Sequence, residues 1–270
     1  MTFTVPEKLR FFMRQNQRVA YSALFKASSD AIKKLAPNQK HIGADLPGFF
    51  GVLHTWGRTL QYHPHIHYVV AGGAIRCSDV SWNHSRIDFF LPVKALSVLF
   101  RAKFRDLMKQ AKLFDQIPNE VWQIAWNVNC QAVGPSQATL KYLAPYVFKV
   151  AISNSRIVGV QHRTVLIRYR KPHSRRSRIL ALDVIEFIRR FLQHVLPTGF
   201  MKIRYYGFMN PNCAVPLDRI RGLIELSYGF AVDLPLPEVE PPRLSTCPTC
   251  GGLLKFRSVL PPIKILRLSG

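Results

Sequence analysis

Acidic residues are scarce in this 270-residue chain: 15 Asp and Glu stand against 38 Lys and Arg, a formal net charge of +23 at pH 7. Self-repulsion on that scale disfavours a compact chain, so the composition implies a polyanionic partner. The basic residues are spread along the whole sequence rather than gathered on one amphipathic helix, which turns the expectation from an anionic membrane surface to nucleic acid. Long apolar runs are missing too. None approaches the roughly 18 residues of a spanning helix, and the opening stretch "MTFTVPEKLRFFMRQNQ" lacks the layout of a signal peptide. Cysteines number only five, an odd count that argues against a secreted disulfide framework. The expectation is a cytoplasmic protein with no membrane partner.

What is present is a mixed pattern with 48% hydrophobic residues, enough for a substantial core. "TFTVP" reads as a strand that starts almost at residue 1, as expected of one part of a longer product. Residues 7–36 carry apolar positions at helical spacing (Leu9, Phe12, Val19, Leu24, Ile32) and stop at Pro37. Strands are expected at 48–56, at 65–73, where Gly72-Gly73 would end the second, and at 87–92. Residues 93–114 form an amphipathic helix, 136–152 a helix interrupted by Pro145, and 156–183 a β-meander. A helix at 183–196, a strand at 201–207 and a helix at 217–230 follow. Strands and helices mix without a βαβ rhythm, which predicts an α+β fold built on an antiparallel sheet.

The stretch "LQYHPHIHYVV" sets His63, His65 and His67 at alternate positions, so on a strand all three face one way. The outer pair would lie about 13 Å apart at a rise of about 3.3 Å per residue, too far for one ion with imidazole bonds near 2 Å. Only neighbours can share a metal. Pro64 lacks an N–H and belongs at an irregular strand start, which favours His65 and His67. On an antiparallel hairpin, His54 can lie opposite either of them and serve as third ligand, with Gln61 as the alternative. Such a set suits Mg²⁺, Mn²⁺ or Zn²⁺. A half-exposed strand whose polar positions happen to be histidine is the competing reading.

Further on, "KYLAPYVFKVAISNSRI" spaces Tyr142 and Tyr146 four apart, on one helical face. Either tyrosine could attack phosphorus beside a metal that polarises a phosphate; the alternative is two aromatic core residues. Pro145 between them removes a backbone hydrogen bond, costs about 3 kcal/mol in a regular helix interior and should bend it.

His-Ile-His on a strand, followed about 75 residues later by Tyr-x-x-x-Tyr on a helix, resembles the HUH nuclease superfamily, and in wording the rolling-circle transposases of the insertion sequence 91 family. "LHTWGRTLQYHPHIHYVVAGG" and "YLAPYVFKVAISNSRI" are similar to that family's two signature blocks. "FTVPEKLR", "RYRKP", "FIRRFLQHVLPTGFMKIRYYGF" and "CPTCGG" extend the resemblance over nearly the whole chain.

The resemblance implies an HUH-like antiparallel sheet flanked by helices over residues 1–230, with 231–270 as a Pro-rich linker and Cys-x-x-Cys tail. It implies an enzyme that nicks and rejoins single-stranded DNA at transposon ends. Tyr142 and Tyr146 would be the nucleophiles, and His65 and His67 would hold a divalent ion, Mg²⁺ or Mn²⁺. His54 as third ligand rests on strand geometry. Members of that family usually carry a cysteine-rich zinc module ahead of the region where this chain starts, so a truncated copy or a late start codon is expected. A non-catalytic DNA-binding remnant, or a relaxase or replication-initiator nickase, stays open as an alternative.

"HRTVLIRYRKPHSRRSR" supplies a cluster for DNA phosphates: Arg163, Arg168, Arg170, Lys171, Arg175, Arg176 and Arg178, with no acid among them. Tyr169, Tyr205 and Tyr206 are candidate surfaces for stacking unpaired bases. Cys247 and Cys250 form half of a four-ligand zinc site, and with no second Cys-x-x-Cys the chain alone does not complete it.

Overall fold

Alternating apolar residues on two long neighbouring segments organise the molecule. The computed structural model describes residues 1–87, 89–132, 151–171, 174, 176–229, 231, 246 and 249–254. It divides into two units, Met1–Phe230 and Ala231–Gly270. In the first unit, β1 (Thr2–Thr4), β2 (Leu46–Trp56), β3 (Tyr62–Arg76), β4 (Ser81–His84) and β5 (Asn127–Asn129) build most of one sheet. A second sheet holds β6 (Ile157–Gln161), β7 (Thr164–Arg170) and β8 (Ser177–Asp183), in that order. A last strand, β9 (Ile203–Tyr206), returns to the first sheet, whose order is β5-β1-β3-β2-β9 with β4 on the far end of β3. Every strand pairing is antiparallel, and helices flank the sheets, so the α+β expectation holds.

Among the described residues the helices are α1 (Arg10–Gln15), α2 (Gln17–Leu35), α3 (Val93–Gln110), α4 (Val184–Leu192) and α5 (Leu217–Tyr228). One face of the large sheet packs on α2 and α3. Ala20, Ala23, Ala27 and Ala31 recur on a single stripe of α2, and such small side chains let α3 approach closely. From α3 come Leu96, Phe100, Phe104 and Met108, four residues apart and fully buried. Phe3 of β1 sits between them and the sheet, its ring edge-on to both Phe100 and Tyr68. The Tyr68 hydroxyl is satisfied by Ser28 at 2.7 Å, and Tyr21 and Tyr62 share a bond of 2.6 Å.

Several expectations are corrected. Residues 7–36 are not one helix: a 3₁₀ turn leads into α1, and Asn16, at φ −117° and ψ 41°, separates α1 from α2. The Asn16 amide meanwhile bonds the Phe12 carbonyl. Val19 is not a core residue; it is 43% exposed. Gly72-Gly73 does not end β3, which runs on to Arg76. A Cβ on Gly73 would lie 2.5 Å from the Asn83 carbonyl oxygen and the Trp82 ring, so glycine there admits β4. Among the described residues, 87–92 shows only an isolated bridge between Arg86 and Phe89. Helix α3 ends at Gln110 rather than 114, and α4 at Leu192 rather than 196. The expected helix at 136–152 falls almost wholly in 133–150, outside the described residues. The meander is present as β6–β8, and Asp183 caps α4 by accepting from the Ile185 N–H at 2.8 Å.

In the second unit an antiparallel bridge joins Thr246 to Leu253 around an exposed Cys250. Among the described residues no helix is long and apolar enough to cross a membrane.

Candidate metal centre

Strand alternation assigns β2 and β3 two different faces. Leu53, Ile66 and Tyr68 point into the core under α2 and α3. His54, His65 and His67 point the other way. Register sets His54 directly opposite His65, and Val52 opposite His67. β1 extends both rows, with Thr4 beside His65 and Thr2 beside His67.

The three imidazoles converge. One nitrogen from each of His54, His65 and His67 can be chosen so that all lie within 4.8 Å of one another. Ring centroids are 5.3 Å apart for His54 and His65, 4.7 Å for His54 and His67, and 4.8 Å for His65 and His67. His54 is 1% exposed and His65 9%. His63 is drawn aside, its Nδ1 accepting from the Arg10 guanidinium at 2.7 Å. Gln61, the alternative ligand, is committed to its own turn, where its carbonyl accepts from the Thr59 N–H at 3.1 Å and from the Thr59 hydroxyl.

The outward nitrogens define the chemistry. His65 Nδ1 lies 2.6 Å from the His63 carbonyl, which can only accept, so that nitrogen carries the proton and Nε2 keeps its lone pair. His65 Nε2 and His67 Nε2 are 3.1 Å apart, and His67 Nδ1 is 3.1 Å from Thr2 Oγ1. His67 has two tautomers available here, which differ in what its Nε2 offers. With the proton on Nε2, His67 donates to His65 and accepts from the Thr2 hydroxyl. With the proton on Nδ1, His67 donates to Thr2 instead, and both Nε2 lone pairs meet at one point, as a cation requires. A hydroxyl serves either role, so the Thr2 contact survives the change, and the His65–His67 hydrogen bond it gives up is replaced by the two ligand bonds to a cation.

Electrostatics favours the neutral rings that ligation needs. Burial, with His67 close by, pushes the His65 pKa down to about 3. Burial, with the positive N-terminus near, lowers His67 to about 4. Both are uncharged at neutral pH. Two neutral imidazoles, each with a hydrogen-bond partner at its far nitrogen, converge with His54 on a set that fits a divalent cation, and imidazole donors suit Zn²⁺ better than Mg²⁺.

Other anticipated residues are distributed differently. Tyr142, Tyr146, Arg175 and Cys247 lie outside the described residues. Arg163, Arg168, Arg170, Lys171, Arg176 and Arg178 are all exposed on or beside the small sheet. They do not share one surface: Arg168 and Arg170 alternate on one face of β7, whereas Arg178 pairs with Tyr169 on the other. Of the stacking candidates, Tyr206 belongs to the core, its ring on Phe49 at 4.9 Å, and Tyr205 is 48% exposed.

The sequence reading missed His194. It lies just past α4, 2% exposed, with Nε2 donating to the Leu60 carbonyl at 3.1 Å and Nδ1 facing Thr55 Oγ1 at 3.2 Å. Thr55 follows His54, and Trp56, stacked on His54 at 4.9 Å, meets His194 edge-on. Nothing in "FLQHVL" announces that role. Thr2 was missed as well, though its place on the strand beside β3 could have been read once β1 was paired.

Comparison with known proteins places the chain. A family model described as "Putative transposase" matches residues 48–215, a span that includes all three histidines. The chain is 34% identical to the putative transposase y4qJ of Sinorhizobium fredii (strain NBRC 101917 / NGR234) over 280 aligned positions, which cover 93% of this chain and 70% of that relative. It is 23% identical to the transposase for insertion sequence element IS801 of Pseudomonas savastanoi pv. phaseolicola over 292 positions, 100% of this chain and 69% of the relative. No solved structure matches. With most of the large sheet, the histidine group and the whole small sheet inside the matched span, the chain belongs to this transposase family.

Proposed function

We propose that the protein nicks and rejoins single-stranded DNA at transposon ends, by tyrosine attack on a backbone phosphate beside a divalent ion held by His54, His65 and His67. The observation that carries the proposal is the convergence of three imidazoles, His54 buried and His67 half-buried, whose ligand nitrogens lie within 4.8 Å of one another. A bound Mn²⁺ or Mg²⁺ would polarise the scissile phosphate and offset its charge. The chain's own residues do the rest. His65 and His67 stay neutral because they are buried. Trp56 and His194 brace the closed end of the hairpin. The nucleophile is Tyr142 or Tyr146. Its oxygen forms a bond to phosphorus as the bond to the 3′ oxygen breaks, and the proton lost by the phenol balances the one gained by the leaving 3′ hydroxyl. The product is a 5′-phosphotyrosyl link that the second tyrosine can use for the return transfer. The basic small sheet would carry the DNA backbone, in the cytoplasm.

The test is a labelled single-stranded oligonucleotide carrying an element end, incubated with the full chain and Mn²⁺. A covalent adduct should survive denaturing electrophoresis, disappear with chelator or in His65→Ala, and be lost in Tyr142→Phe combined with Tyr146→Phe. DNA binding with no adduct under any metal would instead establish a non-catalytic DNA-binding protein. An adduct that persists in the double tyrosine variant would overturn the nucleophile assignment.

A further inference from the structure

The face of the large sheet that carries the histidines continues beyond them. Register is unbroken from His54 opposite His65, through Val52 opposite His67, to Phe50 opposite Val69, and Phe50 pairs on its other side with Tyr205 of β9. Side-chain alternation therefore sets Phe50 and Tyr205 on the histidine face. Their chain neighbours Phe49 and Tyr206 stack on each other in the core beneath. The rings of Phe50 and Tyr205 lie 5.8 Å apart, tilted by 37°, with Tyr205 48% exposed and Phe50 partly so. On the opposite flank, Asn127 continues the row of Thr4 and His65, and Asn129 the row of Thr2 and His67; both asparagines are exposed. The face thus runs from exposed amides, across three imidazoles, to a paired aromatic surface.

We infer that Phe50 and Tyr205 form a stacking platform for unpaired bases of a single strand whose backbone crosses the histidine centre. Nucleic acid is the occupant that matches a chain with 38 basic and 15 acidic residues, because its phosphates answer the charge while its bases answer the rings. A single strand is required, since bases inside a duplex are already stacked on one another and offer no free face. At about 3.3 Å per residue, the Phe50 row lies about 7 Å from the Val52–His67 row, so a base on the platform belongs to a nucleotide neighbouring the one at the histidines. The placement of the phosphate rests on the proposed metal centre; the stacking itself does not.

The experiment titrates the full-length protein into a single-stranded oligonucleotide containing 2-aminopurine, in chelator at fixed salt, and reads fluorescence quenching and affinity. Tyr205→Ala should weaken binding roughly 5- to 150-fold and remove the quench, whereas Tyr205→Phe should match the wild type. Circular dichroism and thermal melting confirm folding, and Phe50→Leu, which keeps the apolar volume but no π-face, should also lose the quench. Mn²⁺ uptake should be unchanged in Tyr205→Ala, and His65→Ala should lose Mn²⁺ but keep the quench, so failure of the metal centre and failure of the platform are separable. Unchanged affinity in Tyr205→Ala would overturn the platform. So would a Tyr205→Phe variant as weak as alanine, which would reveal a hydroxyl contact. Loss of self-association by light scattering, with DNA binding intact, would assign the surface to a second copy of the chain.

Discussion

The six-stranded sheet closes its core from its own strands and helices, with Phe3, Leu53, Ile66 and Tyr68 under α2 and α3. The three-stranded sheet does not. Its cluster of Ala151, Val165, Ile167 and Leu182 is completed by Leu60, which comes from the turn joining β2 to β3 and is fully buried. Leu60 holds φ at +61°, an uncommon conformation for a branched apolar residue. The small-sheet region grips that turn at several points. His194 donates to the Leu60 carbonyl, Arg190 reaches the Thr59 carbonyl at 3.0 Å, and Arg58 of the turn reaches the Arg170 carbonyl at 3.1 Å. The histidine hairpin is therefore anchored at its closed end by the sheet that carries the basic residues, and the geometry of the candidate metal centre depends on a core that contains none of its ligands.

The sharpest way to break that comparison is Leu60→Ala. Truncating a fully buried leucine should cost about 2–5 kcal/mol of stability. If the turn anchors the hairpin, Mn²⁺ affinity should fall along with it. Leu182→Ala, in the same cluster but remote in sequence from the turn, should lower stability while leaving Mn²⁺ affinity close to wild type. Denaturant unfolding and Mn²⁺ titration on both variants decide the matter: equal affinities would mean that the two sheets are energetically independent.

Thr2→Val acts within the large sheet alone. Valine keeps the shape but removes the hydroxyl that can accept from His67 Nδ1 when Nε2 is turned to a cation. Loss of such an outer partner costs about 10- to 100-fold in metal affinity. Thr2→Ser should restore most of it. An unchanged affinity in Thr2→Val would show that His67 is oriented by packing alone.

How much of this was readable beforehand follows the same division. The large sheet was legible because its information is local and periodic: alternate histidines on one face, alternate apolar residues on the other, and a hairpin able to bring His54 opposite either His65 or His67, of which the structure selects His65. Spacing ruled out His63 together with His67, Pro64 favoured the inner pair, and the structure finds His63 bonded to Arg10. β6–β8 were legible as strands for similar reasons. What closes them was not, since Leu60 and His194 matter through contacts more than 100 residues apart, and neither carries a sequence pattern. The errors at Gly72-Gly73 and at 87–92 have one cause. A glycine pair or a short apolar run signals strand or breaker only on average, and the neighbour that decides, β4 against Gly73, is a tertiary fact.

Acid should weaken the histidine face of the large sheet. His65 and His67 are held neutral when folded, with pKa values near 3 and 4, whereas unfolded histidine titrates near 6.5. Below 6.5 the unfolded chain takes up protons that the folded chain does not, so stability present at neutral pH declines as pH falls toward 4. Between pH 7.5 and 6.0 the metal-free protein should lose about 1–2 kcal/mol. Replacing both residues by asparagine should reduce that dependence in denaturant titrations, leaving the part due to His63 and His194, whose pKa values burial also lowers, and an unaltered slope would locate the proton uptake elsewhere.

The smallest effect separates two faces of the small sheet. Arg168 and Arg170 project from one face of β7, and Arg178 projects from the other, beside Tyr169. If the first face carries the DNA backbone, each arginine that meets a phosphate releases one counterion on binding and adds about 0.7 to the slope of log affinity against log salt for a single strand. Arg168→Ala with Arg170→Ala should reduce that slope by about 1.4. Arg178→Ala, which removes a charge of the same sign from the same sheet, should leave it near the wild-type value. Salt titrations of oligonucleotide binding distinguish the faces, because a general loss of positive charge would lower affinity in both variants without regard to direction. A reduced slope in Arg178→Ala and none in the double variant would reverse the assignment and turn the backbone track toward the Tyr169 side.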